Sequence, residues 1–204
     1  MDRKTHWDGV YSRNMQSDVS WFQVKPDISL ELISRCDLPL SASIIDIGGG
    51  ISPLSAYLLK NSYQNISVLD ISDIPLQQAR ERLGKDANRI HWIHADILQL
   101  NDANTYSLWH DRAVFHFLTD PADQDKYIRT MQNQVQDGGY AIIATFAVGG
   151  PEKCSGLEIM QYDAEKMSHR LESAFTLIEV VPEIHLTPAK KEQKFNYFRL
   201  RKNS

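Results

Sequence analysis

The chain has 204 residues, of which 42% are hydrophobic and 24% charged, a composition typical of folded proteins rather than disordered or fibrous ones. Its formal net charge of -4 argues against a dedicated nucleic-acid binder, because such proteins are usually basic. Two cysteines are too few for a disulfide framework, and no apolar run approaches the roughly 20 residues of a membrane helix. We therefore expect one cytoplasmic domain over residues 1–204 that does not bind membranes.

The first 25 residues are polar but contain aromatic side chains, which are costly to leave in water. These aromatic residues are Trp7, Tyr11, Trp21 and Phe22. We expect this N-terminal segment to pack over another part of the protein and to cover its ligand site. Pro26 then predicts the first turn of a helix that runs to about Arg35.

From there on, short apolar segments alternate with helical segments. The predicted strands are 43–47, 66–71, 90–95, 106–110, 140–146, 175–181 and 195–201. The predicted helices among them are 52–60, 72–83, 121–136 and 163–172. This alternation predicts an α/β fold in which helices cover both faces of a mostly parallel sheet. In such sheets the ligand lies outside the carboxyl ends of the strands.

A glycine loop and three acids follow the first three predicted strands. The glycines, Gly48 to Gly50, let the backbone approach a ligand closely and turn sharply into the next helix. Asp46, Asp70 and Asp96 stand at the ends of the first, second and third strands. Asp70 lies 22 residues after Gly48, the spacing at which an acid binds the ribose hydroxyls of a nucleoside cofactor.

Two classes of cofactor use this geometry, the dinucleotides and S-adenosylmethionine (SAM). A dinucleotide motif usually has a third glycine, and Pro53 stands at that position here. Asp46 also places a negative charge just before the loop, which suits a cationic ligand better than a diphosphate. SAM carries a sulfonium and an ammonium and no phosphate, so the electrostatics favour SAM over NAD.

Taken in order, these features resemble the class I SAM-dependent methyltransferases. The resemblance covers nearly the whole chain and includes a fourth strand ending at Asp111 and a Gly138–Gly139 turn into the fifth. The N-terminal aromatic pattern is similar to a small branch with uncharacterised bacterial methyltransferases and the enzymes that methylate lysine in elongation factor 1A or citrate synthase. The resemblance implies seven strands in the order 3-2-1-4-5-7-6, with the last strand antiparallel.

The resemblance also implies roles on the methionine and ribose side of SAM. Gly48 and Gly50 would lie under the methionine part, and Asp46 would lie near its ammonium. Asp70 would bind the ribose hydroxyls. Asp111 and the basic Arg112 match the family pattern, which implies a role on the cofactor side.

On the adenine side, the resemblance implies contacts from three further positions. Ile71 would pack on the adenine, Asp96 would accept a hydrogen bond from its amino group, and Ile97 would contribute its backbone amide. The aromatic residues that would fold over the cofactor are Trp7, Tyr11 and Trp21.

The end of the fourth strand supplies candidates for the acceptor side. An amine or hydroxyl acceptor must lose a proton, so a nearby base is useful. His116 is the candidate base because an ordinary histidine pKa is about 6.5, and a purely structural histidine is the alternative. Asp111 is the second catalytic candidate. The elongation-factor enzymes have an acid where this chain has His116, so the resemblance does not imply a lysine acceptor.

The loop 149–156 contains three glycines and a proline, and we expect it to cover the acceptor pocket beside the segment 111–116. Metal binding by His91 and His94 is not expected, because positions i and i+3 of a strand point to opposite faces. The Asn/Asp-Pro-Pro-Tyr signature of nucleic-acid amino methylation is absent from the sequence. A nucleic-acid acceptor is therefore not expected.

Together these observations predict a SAM-dependent methyltransferase that acts on a small molecule or a protein, a protein lysine included, and releases S-adenosylhomocysteine (SAH). Two alternatives stay open. One is a catalytically idle SAM-binding or scaffold protein, and the other is an NAD-dependent oxidoreductase. The sequence is compatible with either a monomer or a dimer.

Overall fold

The structure, a computed structural model, describes residues 2–13, 18–100, 103–171 and 174–203. Its strands are β1 (Ser43–Ile47), β2 (Asn65–Asp70), β3 (Ile90–His94), β4 (Tyr106–Arg112), β5 (Val135–Phe146), β6 (Lys153–Cys154), β7 (Leu157–Glu158), β8 (Phe175–Leu186) and β9 (Glu192–Lys202). Its α-helices are α1 (Arg3–Arg13), α2 (Asp27–Ser34), α3 (Leu54–Lys60), α4 (Asp73–Leu83), α5 (Pro121–Gln134) and α6 (Ala164–Leu171). Short 3-10 helices lie at Gly84–Arg89, Ile97–Gln99 and Phe115–Phe117.

Seven of these strands form one sheet in the order β3-β2-β1-β4-β5-β9-β8, and β6 pairs with β7 in a separate hairpin. The strands β1 to β5 are parallel to one another, whereas β9 runs antiparallel to both β5 and β8. The predicted fold class and strand order are therefore confirmed. The register pairs Ile47 of β1 with Leu69 of β2 and with Asp111 of β4, so these strands end at one edge.

Helices cover both faces of the sheet and bury two apolar cores. On one face, Trp109 and Ile143 of the sheet pack with α5 and α6 through residues such as Tyr127 and Met167. On the other face, α2, α3 and α4 pack against the sheet. That second core includes Leu32, Ile33, Leu54, Leu58, Leu76, Ile44, Leu108 and Ile142. The two cores fix the sheet between the helices, so the strand ends are held in place.

Local signals explain where several elements begin. Pro121 stands in the first turn of α5, where its missing amide costs nothing, and the Asp120 side chain accepts a hydrogen bond from the Ala122 amide (2.9 Å). Pro53 immediately precedes α3 and Pro26 precedes α2. These starts agree with the predicted helices to within one or two residues.

The largest differences from the predicted elements lie at the two ends of the chain and at β5. That strand begins at Val135, so it includes the predicted end of the helix 121–136 and the predicted Gly138–Gly139 turn. Helix α1 was not predicted, because its sequence is polar and only Val10 and Tyr11 are buried. Strands β8 and β9 are longer than predicted, because their mutual pairing continues from Phe175 with Lys202 out to Leu186 with Glu192. The predicted end of the helix 163–172 lies outside the described residues. No helix in the described ranges is long and apolar enough to cross a membrane.

Candidate functional site

The carboxyl ends of β1 to β4 open into a cavity of about 800 Å³, some of it open to solvent. The predicted site residues that line it are Trp7, Tyr11, Trp21, Gly48, Asp70, Ile71, Asp96, Ile97 and Arg112. A smaller adjoining cavity of about 460 Å³ surrounds the glycine loop and is lined by Asp46, Gly48, Gly49, Pro53, His110 and Arg112, among others.

Asp70 is the most strongly perturbed carboxyl group of the large cavity. Burial raises its pKa to about 7, and the nearby charge of Asp46 acts in the same direction. Backbone amides oppose this effect, since Oδ1 accepts from Ser72 (2.9 Å) and Oδ2 accepts from Gly50 (3.2 Å). These two amides orient the carboxylate, whose remaining lone pairs are able to accept ligand hydroxyls.

Asp96 lies at the next strand end and begins a short 3-10 helix. Its Oδ1 accepts a hydrogen bond from the Leu98 amide at 2.9 Å, which satisfies one of the free amides at that helix start. Ile71 and Ile97 line the same part of the cavity. This end of the cavity therefore combines apolar walls with one carboxylate.

The glycine loop requires glycine at two positions. Gly48 has φ +65°, and a Cβ atom there would lie 2.2 Å from Cγ2 of Val114. A Cβ atom on Gly49 would lie 2.3 Å from Oδ2 of Asp46. The loop therefore wraps closely around the Asp46 carboxylate.

Gly50 has a different position from the one predicted. It does not line either of the two cavities, and its amide instead donates to Asp70. A Cβ atom at this position would lie 2.8 Å from Oδ2 of Asp70 and 2.9 Å from Pro75. Gly50 thus allows the loop to approach the Asp70 carboxylate, rather than forming a floor for the ligand.

The smaller cavity contains a buried acid and a buried base, each with one polar atom that has no hydrogen-bond partner among the described residues. For Asp46 this atom is Oδ2, whereas Oδ1 lies 2.7 Å from Nδ1 of His110. For Arg112 it is Nη2, which lies 3.5 Å from Oε2 of Glu183. The other nitrogens of Arg112 donate to the Tyr197 hydroxyl (2.7 Å) and the Trp21 carbonyl (3.1 Å).

The N-terminal aromatic residues Trp7, Tyr11 and Trp21 line the large cavity. The Trp7 ring centroid lies 5.0 Å from that of Phe117 and 5.9 Å from that of Trp21, both in edge-to-face arrangements. Helix α1 is fixed at its other face, where Oδ1 of Asp8 accepts from the Ser72 hydroxyl at 2.6 Å. The aromatic cluster is therefore held over the cavity by contacts with α4 and the segment after β4.

Asp111 does not line either cavity. Its carboxylate is fully buried and accepts hydrogen bonds from the amides of Val114 (2.9 Å) and Phe115 (3.1 Å) and from the Tyr127 hydroxyl (2.5 Å). Burial raises its pKa to about 6, and these hydrogen bonds oppose that shift. Asp111 thus stabilises the turn after β4, and its geometry does not support the predicted contact with cofactor or acceptor.

His116 is fully buried between aromatic rings and does not line the cavity. Its ring centroid lies 4.5 Å from that of Phe117 and 4.8 Å from that of Phe146, whose amide donates to Nδ1 at 3.3 Å. Burial lowers its pKa to about 3, and the charge of Arg112 contributes. The structure therefore corrects the predicted base to the structural histidine that was the alternative, because the imidazole neither reaches the cavity nor titrates near neutral pH.

The loop 149–156 reaches the cavity through a single side chain. Cys154 lines the cavity from β6, whereas Glu152 and Lys153 are exposed. Nε2 of Gln161 donates to the carbonyls of Gly150 and Pro151, which fixes the start of this loop. Burial raises the pKa of the Cys154 thiol, so the protonated form dominates at neutral pH.

Sequence reasoning missed two further features of the site. Phe117 and Leu118 line the cavity after β4, but nothing in their sequence context distinguishes them from core residues. His110 and Ser29 form a buried hydrogen-bonded pair behind Asp46, and only the strand register reveals it. No cluster of three or more metal-ligating side chains occurs in the described part of the chain.

Comparisons with known proteins agree with this fold. Residues 44–139 match the family model of the methyltransferase domain. The human EEF1A lysine methyltransferase 2 is 22% identical over 194 residues, with 88% of this chain and 76% of the relative covered.

Two solved structures illustrate the similarity of fold. The N-methyltransferase NodS of Bradyrhizobium japonicum WM9, in complex with SAH, has a TM-score of 0.70 at 19% identity over 100% of both chains. The 1,6-didemethyltoxoflavin-N1-methyltransferase of Burkholderia thailandensis, with its substrate and SAH bound, has a TM-score of 0.71 at 16% identity, covering 98% of this chain and 84% of that one. The match over residues 44–139 shows similarity to the methyltransferase domain, and the solved methyltransferases share the fold of this chain.

Proposed function

We propose that this chain is a class I SAM-dependent methyltransferase, which binds SAM across the two adjoining cavities and methylates a small, largely apolar acceptor beneath helix α1. The observation that carries the proposal is the lining of the large cavity under α1. Beyond the strand-end carboxylates, that lining consists mainly of aromatic and aliphatic side chains. A concave and mainly apolar cavity suits a small organic acceptor better than a folded protein surface.

The adenosine part of SAM fits the large cavity. Asp70 is oriented by two backbone amides and has lone pairs for the two ribose hydroxyls. Asp96 would accept from the adenine amino group, with Ile71 and Ile97 packed on the ring. Both isoleucines line the cavity, which supports this assignment.

The amino-acid part of SAM fits the smaller cavity. An ammonium and a carboxylate must be bound there. The cavity offers Oδ2 of Asp46, which is buried without a hydrogen-bond partner among the described residues, and Nη2 of Arg112, which makes no hydrogen bond among them but forms an ion pair with Glu183 at 3.5 Å. Buried polar atoms without partners are rare because they are costly, so opposite charges of this kind at one cavity favour a zwitterionic ligand. SAM supplies a methyl group on a positively charged sulfur.

The acceptor side of the large cavity has few available charges. Arg3 forms an ion pair with Asp123, and Arg112 is held by Tyr197 and Glu183. The remaining walls include Trp7, Tyr11, Trp21, Val114, Phe117, Leu118 and Cys154. These walls would exclude water and align the acceptor, which is the main requirement of an in-line methyl transfer.

Apart from Asp70 and Asp96, the described side chains that line the large cavity include no carboxylate and no histidine. The ionisable groups Tyr11 and Cys154 both have a raised pKa because they are buried. We therefore propose an acceptor atom that already carries a lone pair, such as a neutral nitrogen, so that no protein base has to remove a proton before transfer.

A protein lysine is the second candidate, because the human relative is named as a lysine methyltransferase. The aromatic cluster around Trp7 would then surround the aliphatic stem of the lysine. We also propose a cytoplasmic location, since Cys36 and Cys154 are both free and buried thiols.

The test uses SAM labelled isotopically in its methyl group. The protein and labelled SAM are incubated with a cell extract that is then separated into small-molecule and protein fractions. We expect label in the small-molecule fraction, and no transfer with the Asp70→Asn variant. Label in a protein band would favour the lysine acceptor. Persistent lack of transfer despite tight SAH binding would favour an idle SAM-binding protein.

A further inference from the structure

Three buried side chains form a hydrogen-bonded series that connects helix α2 to the smaller cavity. Nε2 of His110 lies 2.9 Å from Oγ of Ser29, and Nδ1 of His110 lies 2.7 Å from Oδ1 of Asp46. Each of the three residues is at most 2% exposed. They come from α2, β4 and β1, so the arrangement depends on the packing of three separate elements.

The chemistry of the groups fixes the direction of the hydrogen bond between His110 and Asp46. An ionised carboxylate only accepts, so Nδ1 of His110 donates to Asp46. In a neutral imidazole the Ser29 hydroxyl donates to Nε2, whereas in an imidazolium Nε2 donates to the Ser29 oxygen. In both cases Ser29 orients the ring of His110, and His110 fixes the orientation of the Asp46 carboxylate.

The order serine, histidine, aspartate resembles the catalytic triad of enzymes with a serine nucleophile, but the geometry excludes such catalysis here. Ser29 is fully buried and lines neither the large nor the smaller cavity, so no substrate reaches its hydroxyl. Asp46 and His110 both line the smaller cavity, whereas Ser29 does not. There, Oδ2 of Asp46 lies beneath the glycine loop without a hydrogen-bond partner among the described residues.

We infer that His110 and Ser29 are positioning residues for SAM, which hold Asp46 so that its Oδ2 binds the ammonium of the cofactor. This inference rests on the proposed placement of the amino-acid part of SAM in the smaller cavity. A buried carboxylate needs partners for both oxygens. His110 supplies one partner permanently, and the second oxygen is thereby directed toward the ligand.

The arrangement makes a specific prediction about which part of the ligand is affected. SAH contains the ammonium, whereas 5′-methylthioadenosine shares the adenosine and the thioether sulfur but has no amino-acid part. Loss of the His110 hydrogen bond should weaken the binding of SAH and leave the binding of 5′-methylthioadenosine unchanged. A residue that only stabilises the fold would affect both ligands alike.

The experiment is calorimetric titration of the full chain with SAH and with 5′-methylthioadenosine. The His110→Phe variant keeps an aromatic ring but removes both nitrogens, and we expect its SAH affinity to fall by about 10- to 100-fold, the usual effect of losing one charged hydrogen bond. Its affinity for 5′-methylthioadenosine should stay within about twofold. The His110→Asn variant retains a donor near the position of Nδ1, so it should recover most of the SAH affinity.

Further variants keep the test decisive. Ser29→Ala should reduce SAH affinity by a smaller factor, about two- to fivefold. This variant tests the positioning role if His110→Phe does not fold. His91→Phe, an exposed histidine on β3, is the matched control and should change neither affinity. In an Asp46→Asn background, His110→Phe should have little further effect, because the group that it positions is already changed.

The outcomes separate this inference from the proposed function. Equal losses for both ligands, or no loss for either, would overturn the positioning role while leaving SAM binding intact. A wild-type protein that binds SAH no better than 5′-methylthioadenosine would overturn the placement of the amino-acid part as well. A wild-type protein that binds neither would overturn the proposed function itself.

Discussion

The ends of β2 and β4 lie at the same edge of the sheet, yet only one of their two acids lines the cavity. Asp70 lines the large cavity, where two backbone amides orient it. Asp111 is fully buried and accepts hydrogen bonds from the amides that follow it, away from the cavity. An acid at a strand end is therefore not sufficient to predict a ligand contact.

The segment that follows each strand accounts for the difference. After β2, the chain enters α4 directly, with Ser72 at its start, and Asp70 stays at the cavity wall. After β4, the chain reverses at Ala113, which has φ +70°, and forms the 3-10 helix Phe115–Phe117. The first amides of that turn bind Asp111, while His116 is directed into the core.

The glycine loop after β1 lies between these two regions and packs closely on the segment after β4, and a clash there should have the largest effect. Gly48 has φ +65°, and a Cβ atom there would lie 2.2 Å from Val114. Gly48→Ala therefore adds backbone strain of about 1–2 kcal/mol and overpacking of about 1–3 kcal/mol. We expect a clear drop in melting temperature and a loss of SAH affinity of at least about 100-fold, measured by calorimetry.

Gly84→Ala is the matched control, because Gly84 has φ +56° and a Cβ atom added there would meet no other atom within 4 Å. This variant should lower stability through backbone strain alone, without overpacking, and leave SAH binding unchanged. Adding Val114→Ala to Gly48→Ala should recover part of the lost affinity. If Gly48→Ala binds SAH like the wild type, the loop does not approach the ligand as proposed.

The pH dependence of SAH binding should distinguish Asp70 from Asp111. Because burial raises the pKa of Asp70 to about 7, ionisation near neutral pH creates the stronger hydroxyl acceptor. Wild-type SAH affinity should rise as the pH increases through 7. Asp70→Asn should lower affinity by about 10- to 100-fold and remove this dependence, since a neutral amide replaces a charged acceptor.

The stability of the fold should respond in the other direction. The folded pKa of Asp70 lies above its ordinary value of 3.8, so the native state binds the proton more tightly between about pH 4 and 7. This contribution to stability is therefore lost as the pH rises through that window, and Asp111 acts alike with its pKa of about 6. In thermal melts, the melting temperature of Asp70→Asn should fall less steeply with rising pH than that of the wild type. An unchanged pH profile of SAH affinity in this variant would contradict the assignment.

Much of the fold was predictable because its signals are local. The alternation of strands and helices, the glycine loop and the prolines before α2 and α3 lie within single segments of the chain. Helix α1 was not predictable in this way, because its aromatic face packs against distant residues such as Phe117, 110 residues beyond Trp7. Tertiary packing, rather than helix periodicity, determines that element.

The candidate site shows the same difference between features with a local sequence signal and features set by tertiary packing. The placement of Asp46, Asp70 and Asp96 at strand ends followed from the spacing of loop and strands. The burial of His116 depends on Phe146, a residue of β5, and the pairing of Asp46 with His110 depends on the β1–β4 register. A single sequence carries no direct signal for either contact.

His116 gives the smallest expected effect on ligand binding and the sharpest contrast with Asp70. Its folded pKa of about 3 lies below the ordinary value of 6.5, so between these values the unfolded chain binds more protons than the native state. The resulting stability is present above about pH 6.5 and is lost as the pH falls toward 3. This slope has the opposite sign to that of Asp70.

His116→Asn tests this role, because an asparagine oxygen is able to accept from the Phe146 amide in place of Nδ1. We expect SAH affinity and turnover within about twofold of the wild type, since His116 does not reach the cavity. Thermal melts between pH 4 and 7 should lose the part of the acid-side slope that the histidine contributes. A large fall in turnover with a shifted pH profile, at unchanged SAH affinity, would instead restore His116 as the base and would require the segment after β4 to open during the reaction.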